Sequence, residues 1–200
     1  MSVYYYKGAK IMAPLTITSN EPMYDVDTVS LKKQRASQNV QRWELTFNTI
    51  GESHTQVDMF LAAVAEIDSA DTMVMPQLPS VDAAKTVSAD AIPVLVAGLQ
   101  NASSLTLNGS GLTGIIPKGT FFKFANHGKI YVTTSEANLN VNPVINFYPA
   151  LRADVGIGVN LMVGAGAVIS YYTSIDNQTG ITFTDGVLSN AGTITLVEAL

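Results

Sequence analysis

The chain has 200 residues, a net charge of −5 and no cysteine. The missing cysteine excludes disulfides, thiol chemistry and cysteine-held zinc, and the acidic balance argues against nucleic acid, whose phosphates need clustered Lys and Arg. Hydrophobic residues make up 47%, enough for a core, but charged residues only 14%, against about 25% in soluble domains. So little charge predicts that partners cover part of the surface; a Ser/Thr/Asn-rich surface is the other explanation.

In chain order, Ile11–Thr18 reads as a first strand, with Pro14 at an edge or bulge. Ser19–Ser30 is polar and acidic and reads as a loop, continued by the basic run Lys32, Lys33 and Arg35. Gln41–Asn48 is the clearest strand. Period two puts Trp43, Leu45 and Phe47 on one face and Arg42, Glu44 and Thr46 on the other. A helix should follow, capped by Ser53 or Thr55, with Val57, Phe60, Leu61, Val64 and Ile67 at helical spacing. Thr72–Met75 reads as extended.

Residues 80–104 read as a connector with one apolar burst, Ile92–Val96. Strands are predicted near Ser104–Leu107, Thr120–Phe124, Ile130–Thr134 and Val144–Tyr148, spaced as in a small antiparallel barrel or sandwich. Ile116–Thr134 reads as a hairpin, with Phe122, Phe124, Ile130 and Val132 at alternating positions. Further strands are predicted near Val155–Val163, Ala167–Thr173, Gly180–Phe183 and Gly192–Val197, with a turn at Asp176–Gly180. Val155–Ile175 carries no charge and is long enough to cross a bilayer. Gly156, Gly158, Asn160, Gly164, Gly166 and Ser170 interrupt it, and it reads as a β segment. The first eight residues lack the basic start and apolar run of a signal peptide. The fold class is therefore mainly β: an antiparallel sandwich or barrel with one short helix and an inserted small β-domain.

Nothing in the sequence assembles a catalytic set, a metal site or a cofactor site. Gly109–Gly114 matches the dinucleotide pattern, but that chemistry needs a helix to start there, and a strand is predicted instead. His54 and His127 have no second His or Cys nearby. Asp68 and Asp71 sit where the helix should end and read as solvated caps. Phe121, Phe122, Phe124 and Tyr131 could stack bases, but the acidic balance favours packing. Charge is uneven along the chain. Residues 153–200 hold Asp154, Asp176, Asp185 and Glu198 and no Lys or Arg. Lys32, Lys33, Arg35 and Arg42 form the densest basic region and are the candidate subunit interface, so copies could meet head to tail.

Three stretches together resemble tail proteins of tailed bacteriophages, particularly distal-tail and baseplate ring proteins. They are Gln41–Phe47, the Gly119–Thr134 hairpin with its exit Phe147–Arg152, and the closing Gly192–Leu200. The resemblance implies a virion structural protein without enzymatic activity. It would assemble into a homo-oligomeric ring, commonly a hexamer, joining the tail tube to hub or fibre proteins. Its partners would be copies of itself and other tail or baseplate proteins, with no nucleic-acid binding, membrane insertion or cofactor. Residues 1–80 plus 152–200 would form the ring-building domain and 81–151 an inserted barrel or sandwich. The alternatives are a carbohydrate-binding β module of a fibre, with Tyr4, Tyr5, Tyr6, Tyr171 and Tyr172 as platforms, and a small hydrolase with dispersed carboxylates.

Overall fold

The computed structural model describes residues 4–27, 33–37, 40–50, 69–78, 80–82, 86–174, 182–184, 187–190 and 193–200. It is mainly β, and every strand pairing is antiparallel. Among the described residues the helical content is one 3-10 turn, Gly164–Gly166. The helix predicted over 53–67 lies outside the described residues, as do His54, Asp68 and the turn at 176–180.

The first half supplies β1 (Tyr5–Tyr6), β2 (Ala9–Asn20), β3 (Met23–Asp27), β4 (Lys33–Ser37), β5 (Arg42–Ile50) and β6 (Asp71–Val74). The middle supplies β7 (Ala91–Val96), β8 (Ser104–Leu107), β9 (Ile115–Ile116), β10 (Phe121–Phe124), β11 (Ile130–Thr133), β12 (Ala137–Asn138) and β13 (Val144–Tyr148). The remainder supplies β14 (Asn160–Met162), β15 (Val168–Thr173), β16 (Thr182–Thr184), β17 (Val187–Asn190) and β18 (Thr193–Glu198).

Two bodies result. A six-stranded sheet runs in the order β1-β2-β5-β18-β15-β6, and β10-β11-β13-β8-β7-β14 close into a barrel. On the sheet, Trp43, Leu45 and Phe47 are buried as period two requires, joined by Ile194, Leu196, Ile169, Tyr171 and Met73. On β5 the opposite face is polar, with Thr46 paired to Thr195. The β2–β5 register shifts between Met12 and Thr16, around Pro14. Proline removes a ladder donor there, and a bulge accommodates the loss.

Each barrel strand sends alternate side chains inward: Ile92 and Val94, Leu105 and Leu107, Phe122 and Phe124, Tyr131, Ile145 and Phe147, and Leu161. Phe122, Phe124, Tyr131 and Phe147 meet mostly edge to face at 5.4–6.0 Å between centroids. Such pairs add about 0.5–1.5 kcal/mol each beyond the area they bury.

Several expectations change. The predicted loop Ser19–Ser30 contains β3, paired with β4 from the basic run. The alternation Tyr24-Asp25-Val26-Asp27 carries the strand beneath its acidic composition. Ile92–Val96 is a barrel strand rather than part of a connector. Val155–Val163 contributes only the short β14, plus a bridge from Val155 to Gly98. The uncharged stretch Val155–Ile175 holds β14, the 3-10 turn and β15, and no helix among the described residues is long and apolar enough to cross a membrane.

Candidate assembly site

The β10–β11 hairpin has two apolar faces. Phe122, Phe124 and Tyr131 point into the barrel. Phe121, Ile130 and Val132 point outward and pack in the sheet's core cluster, with Tyr148 beside them. Ile130 and Val132 therefore face away from Phe122 and Phe124. A strand buried on both sides shows no polar phase to distinguish its faces. Trp43 is the contact on the sheet side. Its ring meets Phe121 at 5.3 Å and Tyr148 at 6.4 Å, both edge to face, and its Nε1–H donates to the Ile130 carbonyl at 2.8 Å.

Polar groups hold the same junction. The Glu198 carboxylate accepts hydrogen bonds from the Trp43 N–H of the sheet (3.1 Å) and the Ile130 N–H of the hairpin (2.8 Å), and pairs with the Lys129 ammonium. Glu198 and Lys129 are only 1% and 3% exposed, so neither charge is screened by water. Burial outweighs the attraction of Glu198 and lowers the Lys129 pKa to about 8, with Arg152 and Arg42 adding repulsion. A second clamp lies at Phe121, where the Gln77 amide donates to the Phe121 carbonyl at 2.9 Å and accepts its N–H at 3.3 Å. At a third point the Tyr148 hydroxyl donates to Glu21 at 2.6 Å.

Sequence reasoning missed Glu198 and Lys129, although Glu198 was legible. In Thr193–Glu198 it falls in phase with the buried Ile194 and Leu196, and an acid on a core phase needs a partner. Lys129, at the end of a turn, carries no such signal.

Three of the basic candidates fall on two strands, β4 and β5. Lys32 lies outside the described residues. Lys33 and Arg35 sit on β4, where the register sets Asp27 and Asp25 opposite them. Arg42 opens β5 and is exposed.

The tyrosines also divide. Tyr6 and Tyr171 are buried, with rings 5.9 Å apart, and burial raises both hydroxyl pKa values. Tyr172 is exposed and follows Tyr171 on β15, so the pleat turns it to the other face. Tyr5, 59% exposed, and Tyr4 line an open cleft of about 530 Å³ with Lys7 and Asp71. Asp71 is no helix cap. It begins β6, pairs with Lys7, accepts the Tyr171 hydroxyl at 3.2 Å, and its pKa is lowered chiefly by Lys7.

His127 is fixed in one tautomer by its neighbours. Asn126 Nδ2 donates to the Asp154 carbonyl at 2.9 Å, which leaves Oδ1, an acceptor, facing His127 Nδ1 at 2.9 Å, so Nδ1 carries the proton. In the neutral ring Nε2 then accepts the Tyr131 hydroxyl at 2.7 Å, while the hydroxyl oxygen accepts the Arg152 N–H at 3.1 Å. Burial lowers the His127 pKa, with Lys123 and Lys129 adding repulsion. Burial pushes the Tyr131 pKa up to about 12. The Gly109–Gly114 segment leads into β9 and starts no helix. Gly109 is required because a Cβ would fall 2.1 Å from the Val141 carbonyl oxygen and 2.3 Å from that of Leu139. No group of three or more His, Asp or Glu among the described residues is placed to hold a metal.

The barrel also carries an exposed apolar row. Val96 and Val144 flank Thr106 across β7, β8 and β13, and Leu99 and Ile157 are likewise exposed.

Residues 84–155 match the family model for the distal tail protein pb9, B domain. That span includes five of the six barrel strands and stops before β14. No curated protein matches the chain. The match supports the resemblance to tailed-bacteriophage distal tail proteins and places the chain in the phage virion tail.

Proposed function

We propose that the chain is a ring-forming component of the tail or baseplate, without catalytic activity, that joins the tail tube to hub or fibre proteins. The six-stranded sheet is the ring-building part and the barrel an insertion. One observation carries this reading: the sheet draws its strands from both ends of the chain, 5–74 and 168–198, around a barrel that matches a distal tail domain. The polar outer face of the Arg42 strand meets the next subunit. Light scattering after size-exclusion chromatography, with electron microscopy, should show closed rings, hexamers on this reading. A monomer at high concentration with no rings sinks it.

The tyrosine-lined cleft favours a second reading, a carbohydrate-binding module of a fibre. An exposed ring at Tyr5 beside a carboxylate and an ammonium is chemistry that can hold a sugar. It predicts glycan-array signal that falls with Tyr5→Ala; a silent array excludes it.

A further inference from the structure

We propose that Asn108 is a latent deamidation site in the barrel, held in check by the side chain of Asn142. Asn108–Gly109 is the only Asn-Gly pair in the chain. In such a pair the glycine amide nitrogen attacks Cγ of the asparagine side chain. The N–Cγ bond forms, the glycine amide proton is lost, and the side-chain nitrogen leaves as ammonia. Water then opens the cyclic imide to aspartate or isoaspartate. Glycine permits the attack because it has no side chain to obstruct it.

The two reacting groups are in opposite states here. Asn108 Oδ1 accepts the Ser110 N–H at 3.0 Å, which polarises Cγ toward attack. The nucleophile, however, is engaged: the Gly109 N–H donates to Asn142 Oδ1 at 2.9 Å. Cyclisation needs that proton gone, and the hydrogen bond retains it. The main chain is pinned on both sides as well. The Asn108 N–H donates to the Pro93 carbonyl at 2.8 Å, and the Gly109 carbonyl accepts the Leu112 N–H at 3.0 Å. Gly109 is buried against the Leu139 and Val141 carbonyls, so its peptide cannot swing toward the Asn108 side chain. Asn142 is itself exempt from this chemistry, because Pro143 follows it and a prolyl nitrogen has no proton to lose. Asn138 and Asn140 precede Leu139 and Val141, whose side chains hinder ring closure. An isoaspartate at 108 lengthens the backbone by one carbon where Gly109 has no slack, and so loosens the 108–110 loop from residues 139–142.

The test ages the full chain in mildly alkaline buffer and follows the peptide containing Asn108 by mass spectrometry, with isoaspartate methyltransferase labelling to identify the product. Wild type unfolded in urea should convert readily, and folded wild type much more slowly. Asn142→Ala should speed conversion of the folded chain about two- to tenfold, the factor that corresponds to one lost hydrogen bond. Asn142→Asp keeps the acceptor and should convert at the wild-type rate. Near-UV circular dichroism checks that both variants fold. No conversion in urea overturns the site. Equal rates for folded and unfolded wild type overturn the protection, a comparison that needs no variant. Folded Asn142→Ala that converts no faster than wild type, or Asn142→Asp that converts as fast as Asn142→Ala, overturns the role of Asn142.

Discussion

At the residue scale the junction turns on Glu198. It serves three donors, two of them backbone N–H groups with no alternative acceptor shown. Removing it orphans all three, whereas removing Lys129 leaves the carboxylate with two N–H partners. The two substitutions should therefore be unequal. Glu198→Leu should cost about 3–5 kcal/mol, the range for breaking a buried pair from one side, and Lys129→Met clearly less. Urea unfolding of both variants checks the order; equal losses would show that the backbone donors contribute little. His127 gives a prediction in pH. Its folded pKa lies below the unfolded value of 6.5, so on acidification the unfolded chain takes up the proton first. Stability should fall as pH drops below about 6.5, and His127→Gln should flatten that part of the profile. An imidazole that titrates at or above 6.5 by NMR refutes the closed Tyr131–His127 network.

At the element scale, what was legible depended on how many faces a strand buries. β5 has one buried face, and its alternation identified Trp43, Leu45 and Phe47 correctly. β10 and β11 place apolar side chains on both faces, so the alternation identified the hairpin without saying which face lines the barrel. β3 was hidden because its alternate positions are aspartates. The Gly109 segment was legible as a loop, but its reason was not, since the Leu139 and Val141 carbonyls that exclude a side chain lie some thirty residues away. Gly109→Ala should destabilise the barrel by about 1–3 kcal/mol, as overpacking does. The obstacle is backbone, which cannot rotate aside. Thermal unfolding measures the loss, and a neutral outcome would show that the 109–114 loop shifts freely.

At the scale of the whole molecule, the question is whether sheet and barrel behave as one body. Each has its own core, yet Ile130 belongs to the barrel's hairpin and is buried in the sheet's cluster. The outward residues Phe121, Val132 and Tyr148 pack against that cluster too. Losing the sheet would expose this apolar row and strand the Ile130 N–H, Ile130 carbonyl and Lys129 charge without their partners. The barrel therefore should not outlast the sheet, and calorimetry should show a single transition whose van't Hoff and calorimetric enthalpies agree. Trp43→Ala removes the ring against Phe121 and Tyr148 and the donor to Ile130. Beyond a loss of about 3–5 kcal/mol, it should divide the transition in two, with the barrel melting as the separate unit. Two well-resolved transitions in the wild type would mean that the junction only tethers the barrel. Trp43 and Glu198 couple the two cores only if the single transition is found.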